Sequence, residues 1–77
     1  MIAYIQKHQL DQINPDLAYI NYASNGSDLF SLTFSRKDDP LTYVVVTQKN
    51  VNRQFKTSDS ALKFAMQYTH NICIKVL

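Results

Sequence analysis

The stretch from Leu41 to Gln48 reads Leu-Thr-Tyr-Val-Val-Val-Thr-Gln and holds the only run of three β-branched apolar residues, Val44-Val45-Val46. Such a run suits a strand buried on both faces, so 41–48 is expected to be the central strand of a sheet. Before it, Leu29 to Ser35 alternates. Phe30, Leu32 and Phe34 fall on one face, and Ser31, Thr33 and Ser35 on the other. That is the pattern of a half-buried strand over 29–36. Arg36-Lys37-Asp38-Asp39-Pro40 forms a polar turn between the two. Proline has no N–H to give to a ladder, so the next strand is expected to begin after Pro40.

The flanks carry weaker signals. Over residues 2–13, Ile2, Ile5, Leu10 and Ile13 share one side of a 3.6-residue helix, although Gln6 interrupts the arc. A short strand over Met1 to Gln6 is the alternative, because Ile2 and Tyr4 alternate with Ala3 and Ile5; the helix is preferred. Asn14-Pro15 ends it, since the residue before a proline is pushed out of the α region. Residues 17–23 admit a capped helix or a strand. Tyr19, Ile20 and Tyr22 are strand formers, and Asn25-Gly26 followed by an alternating run signals a hairpin with 29–36. Lys49-Asn50 suits a tight turn. Val51, Arg53 and Phe55 alternate with polar neighbours, so 51–56 reads as a polar edge strand or an extension of the strand before it.

Thr57-Ser58-Asp59 starts a helix over 58–70, with a hydroxyl cap and an acid at the positive end of the helix dipole. Its apolar arc holds Ala61, Leu62, Phe64, Ala65, Met66 and Tyr68. Asn71 is expected to end it in the left-handed conformation. Ile72 to Leu77 reads as a last strand over 72–77, returning to the sheet beside or near 41–48, with Ile72, Ile74 and Val76 inward. The pieces make an α+β domain of 77 residues. Its sheet is expected to be mainly antiparallel, with the helix at 58–70 on one face and an N-terminal helix at 2–13.

Composition narrows the setting. At this length only about 60–65% of the unfolded surface is buried, and one domain is expected. The single cysteine, Cys73, cannot close an internal disulfide, which favours a reducing, cytoplasmic setting over a secreted one. The N-terminus lacks the basic start and apolar run of a signal peptide, and no stretch nears the ~18–20 apolar residues of a membrane span. The formal charge of +2 permits a polyanionic partner without requiring one. All six acids are Asp. The wealth of Asn, Gln, Ser and Thr fits a hydrogen-bonding surface or the bias of an AT-rich genome.

No motif points to catalysis, a metal or a cofactor. His70 and Cys73 have a metal-like spacing, but only His8 and scattered Asp remain to complete four ligands. A Cys73–His70 nucleophile pair would lack a third group to orient the histidine. Asp38-Asp39 reads as a solvated turn. Gly26 is the only glycine, so no phosphate loop exists. What remains is a basic stretch, Lys49, Arg53 and Lys56, with Arg36, Lys37 and Lys63 as neighbours, interleaved with aromatics as in single-strand nucleic-acid binders. There are also five tyrosines, a residue enriched at interfaces. Tyr4 is expected to be exposed, facing away from the Ile2/Ile5/Ile13 stripe.

The stretch Arg53-Gln54-Phe55-Lys56-Thr57-Ser58-Asp59-Ser60-Ala61-Leu62 resembles a pattern of small accessory proteins of plasmids and related mobile elements. There, Arg-x-Phe-Lys-Thr-x-Asp-x-Ala runs into an amphipathic helix and a short last strand. The likeness covers roughly a quarter of the chain. Where the pattern has glycine at the helix end, this chain has Asn71. The resemblance implies a mobile-DNA or phage setting and brings no functional residue with it. The expected function is therefore non-enzymatic binding of a protein, as an inhibitor or regulator of a host complex such as a defence system, with a homodimer in view. Nucleic-acid binding through the basic edge is the alternative. The expected contact residues are Lys49, Arg53, Lys56, Arg36, Lys37 and Tyr4, with no cofactor and no membrane.

Overall fold

A computed structural model describes residues 1–22, 29–49 and 51–76, the last by its backbone alone. The alternating run around Phe30 is the centre of the sheet. It forms β3 (Phe30–Arg36), with β2 (Leu17–Tyr22) on one side and β4 (Asp39–Val46) on the other, both antiparallel to it. β1 (Ile2–Gln6) lies beside β4, and β6 (Ile72–Val76) lies beside β2, each parallel to its neighbour. The order is β1-β4-β3-β2-β6. All strands on this path but β3 therefore run the same way. A two-residue strand, β5 (Gln54–Phe55), pairs with the start of β3.

Two helices supply the connections that parallel strands need. α1 (Lys7–Ile13) carries the chain from β1 to β2, and α2 (Ser58–Met66) carries it from β4 and β5 to β6. Both crossovers step in the same direction along the sheet. With a common hand, both helices must then lie on one face. The core bears this out: Leu10 of α1 and Ala61, Phe64 and Ala65 of α2 pack into one cluster with Ile5, Ala18, Ile20, Leu32, Phe34, Tyr43 and Val45. The domain has two layers, one of helices and one of sheet. Its radius of gyration, 11.6 Å, matches the roughly 11–12 Å of a compact chain this long.

Several expectations are corrected. Residues 2–13 are not one helix. Residues 2–6 form β1, because Ala3 and Ile5 pair beside Tyr43 and Val45 and face the helices. Only Lys7–Ile13 is helical. The Gln6 N–H, left outside the first turn, donates to Gln9 Oε1 at 2.9 Å. The sheet is mixed rather than mainly antiparallel, since both flanking strands arrive through helical crossovers. The central strand is β3, not the Val44-Val45-Val46 strand, which is second from the edge. That strand is buried on both faces only at its end: Tyr43 and Val45 are buried on the helix side, whereas on the other side Val46 is buried but Thr42 and Val44 are half-buried. It also spans Pro40, which is exposed where the β3–β4 register shifts after Ser35. The ladder steps over the missing N–H there. It ends at Val46, because Thr47 Oγ1 accepts the N–H groups of Lys49 (3.3 Å) and Val51 (3.4 Å) and turns the chain.

The strands expected over 17–23 and 29–36 are present as β2 and β3, and residue 23, the Asn25-Gly26 turn and Asn50 fall outside the described residues. Residues 51–56 do not form a full edge strand. The Arg53 N–H donates to the Val45 carbonyl at 2.9 Å, and β5 then joins β3, so the segment wedges between β4 and β3. α2 begins where expected: Thr57 Oγ1 accepts the Ser60 N–H at 3.1 Å. The regular helix ends at Met66, and Tyr68 and Thr69 N–H groups close on the Ala65 carbonyl. Asn71 is not left-handed; among the described residues that conformation falls to Asn14, φ 53°, which ends α1. Asn tolerates it better than most residues. β6 joins β2 at the far edge rather than the 41–48 strand.

Candidate functional site

With both helices on one side, the other face of the sheet has no covering layer among the described residues. The registers place a row of side chains across it: Tyr4, Val44, Thr33, Tyr19 and Cys73, one from each strand of the path. Adjacent strands lie about 4.8 Å apart, so the row spans ~19 Å. Ile2, Thr42, Ser35 and Leu17 form a second row beside it, and Ser31, Asn21 and Lys75 part of a third. Ile2 is 60% exposed and Tyr4 64%.

Charged residues make up 18% of the chain, but Lys75 is the only charged side chain in these rows. Its Nζ sits 4.5 Å from the centre of the Tyr19 ring, a cation–π contact that ties the cation to the sheet. The Asn21 amide is buried on the same face and donates to Thr33 Oγ1 at 3.3 Å. The Asn21 amide and the Thr33 hydroxyl are thus partnered before anything docks, which lowers the cost of drying that part of the surface.

The basic residues fall into two groups at opposite ends of the sheet. Arg36 and Lys37 sit at the β3–β4 turn, at one end of the sheet, while Lys49 and Arg53 follow the opposite end of β4. Arg53 is half-buried, its guanidinium 5.0 Å from the centre of Phe64 and 6.0 Å from that of Phe55. It caps an aromatic chain in which Phe55, Phe64, Tyr68 and Phe34 follow one another at 5.5, 5.7 and 5.8 Å. Lys49 and Lys56 are exposed. Tyr4 is exposed as expected, but because β1 turns it onto the uncovered face.

Arg36 and Lys37 instead line a cleft of about 500 Å³ with His70, Asn71 and Cys73. Asp16 closes its wall. The Asp16 N–H donates to the Ser35 carbonyl at 2.9 Å, its carboxylate accepts the Lys37 N–H at 2.9 Å, and its carbonyl accepts Thr69 Oγ1 and Asn71 Nδ2, each at 3.1 Å. Among the described residues, no group of three His, Cys, Asp or Glu is placed to hold a metal.

Near the same end, the Tyr43 hydroxyl donates to Asp39 Oδ2, and the Leu41 N–H donates to Oδ1 at 2.9 Å. The Tyr43 hydrogen bond, then the Leu41 bond, hold the Asp39 carboxyl below its usual range. The same hydrogen bond, with burial adding to it, pushes the Tyr43 hydroxyl up. This pair anchors the β3–β4 corner.

Sequence reasoning missed most of the uncovered face, namely Ile2, Leu17, Tyr19, Asn21, Thr33, Val44 and Lys75. The signal was present in Ile2 and Tyr4, which alternate with Ala3 and Ile5 and so mark a two-sided strand. No helix among the described residues is long and apolar enough to cross a membrane. Comparison of the chain with family models, with curated proteins and with solved structures finds no match.

Proposed function

We propose that this chain is a non-enzymatic binding protein whose uncovered sheet face docks an uncharged surface of a protein partner. The observation that carries this reading is the Tyr4–Val44–Thr33–Tyr19–Cys73 row, accessible and almost free of charge. Interface cores are depleted in charge and enriched in tyrosine. Nucleic acids make the opposite demand, for several cations that neutralise phosphates, and this face offers one lysine already seated on Tyr19. The alternative through Lys49, Arg53 and Lys56 is weaker, since Arg53 is engaged with Phe64. The resemblance of 53–62 to mobile-element accessory proteins supplies the setting: inhibition or regulation of a host complex, such as a defence system.

The test is retention of a host protein by the wild-type chain and by Thr33→Arg, which plants a charge in mid-face. A partner held by the wild type and lost by an equally stable Thr33→Arg supports the reading. A partner held equally by both removes it. Salt-sensitive binding of a labelled oligonucleotide, abolished by Lys49→Ala with Lys56→Ala, would favour the nucleic-acid alternative.

A further inference from the structure

Sheet edges invite pairing with another strand, and proteins usually blunt them with charge, proline or a bulge. β1 carries none of these. It reads Ile-Ala-Tyr-Ile-Gln, and its register with β4 is unbroken from Ile2 to Gln6. The opposite edge, β6, is marked by Lys75.

The free groups on β1 can be identified. The Thr42 N–H donates to the Met1 carbonyl at 2.9 Å. In a parallel ladder alternate residues turn both their N–H and C=O to the same neighbour. Met1, Ala3 and Ile5 therefore serve β4, and the N–H and C=O of Ile2 and Tyr4 point away from the sheet. Their side chains stand together on the uncovered face.

We infer that β1 pairs antiparallel with β1 of a second copy of this chain, across a twofold axis at Ala3. In that register Ile2 lies opposite Tyr4 of the second copy, and Tyr4 opposite its Ile2. Each such pair exchanges two hydrogen bonds, so the free backbone groups of Ile2 and Tyr4 are all used. The side chains form two Ile–Tyr contacts of the aromatic/β-branched kind that stabilise sheets. Only the Ala3 methyls meet at the axis on the helix side. No charged side chain lies between Met1 and Gln6, so two copies of like net charge meet there without repulsion. The result is one continuous sheet with the Tyr4 rows of both copies joined on one face. This inference rests on the strand edge and is independent of the docking proposed for the face.

The experiment is sedimentation equilibrium with thermal unfolding, from micromolar to millimolar protein. Tyr4→Pro removes an outward N–H and leaves the groups that bond β4. Tyr4→Lys keeps the backbone and sets two like charges beside the axis. The wild type should weigh twice the chain's 8.9 kDa and unfold at a temperature that rises with concentration. Both variants should weigh half as much, with that dependence lost. Should Tyr4→Pro fail to fold, Tyr4→Lys decides. A wild type that stays monomeric, or a folded variant that dimerises like the wild type, overturns the inference. Thr33→Arg should dimerise normally, which separates this result from partner docking.

Discussion

Truncating Phe34 to alanine should bring the domain to the edge of unfolding. Phe34 is 0% exposed. It lies between Ala18 of β2 and Tyr43 of β4, and meets Tyr68 edge-on at 5.8 Å and 76°. Removing a buried phenylalanine costs about 3–5 kcal/mol, made up of lost transfer energy and the cavity left behind. The edge-on contact with Tyr68 accounts for about 0.5–1.5 kcal/mol of that sum. A chain of 77 residues has a total stability of only about 4–12 kcal/mol. The loss therefore takes a quarter of it at the least and all of it at the most. The midpoint of thermal unfolding should fall by at least ~12 °C, at ~4 °C per kcal/mol for a domain this small. Phe30→Ala is the control, in the same strand and on the same face. Phe30 is half-buried, so its truncation should cost about half as much or less. Urea unfolding followed by far-ultraviolet circular dichroism measures both, with the slope expected to stay constant. A Phe34→Ala cost below ~1.5 kcal/mol, or one no larger than that of Phe30→Ala, would refute a core centred on β3.

Two further predictions concern the ends of elements. The Asp39 carboxyl is held below its ordinary 3.8 and the Tyr43 hydroxyl above its ordinary 10.0. Asp39 thus contributes stability above its unfolded pKa that is lost as pH falls through the folded one, while Tyr43 contributes below its unfolded pKa and loses it as pH rises through the folded one. Asp39→Asn should flatten the acid limb of a urea-midpoint profile, and an unchanged limb would count against the pairing. Thr57→Ala removes the acceptor for the Ser60 N–H and should cost about 1 kcal/mol. Thr57→Ser should restore most of that stability; a serine variant as weak as the alanine variant would show that the cap does not act through its hydroxyl.

Local chemistry made some elements legible. β3 alternates cleanly, so its two faces could be assigned residue by residue. The start of α2 was readable because a cap is a three-residue affair. β1 was not legible in the same way. Ile5, Leu10 and Ile13 do point toward the core, at spacings that suit a helix, but they do so from two elements that meet at Gln6–Lys7. What decides for a strand is the pairing of Ile2 with Thr42 and Ile5 with Val45, a partner far along the chain. The parallel β2–β6 pair was hidden for the same reason. Without those pairings the uncovered face could not be drawn. Tyr4 was found to be exposed, yet its row-mates Tyr19 and Thr33 were not seen to join it. The basic residues were legible as charges, but their separation depends on which end of β4 each one follows.

The placement of β1 and β6 at the two flanks also bears on how the molecule assembles. β2, β3 and β4 follow one another in sequence and can zip together through nearby contacts. β1 reaches β4 only when Ile2 meets Thr42, and β6 reaches β2 only when Ile72 meets Ala18. Each closure spends chain entropy before it is repaid. A three-stranded meander with both sides open should therefore form first, and the flanking strands should dock late. In the native state those strands should be the first to detach and to exchange their amide hydrogens. A chain caught at that stage can receive the first strand of a neighbour in place of its own, so the route by which this sheet closes is also a route to strand exchange between copies.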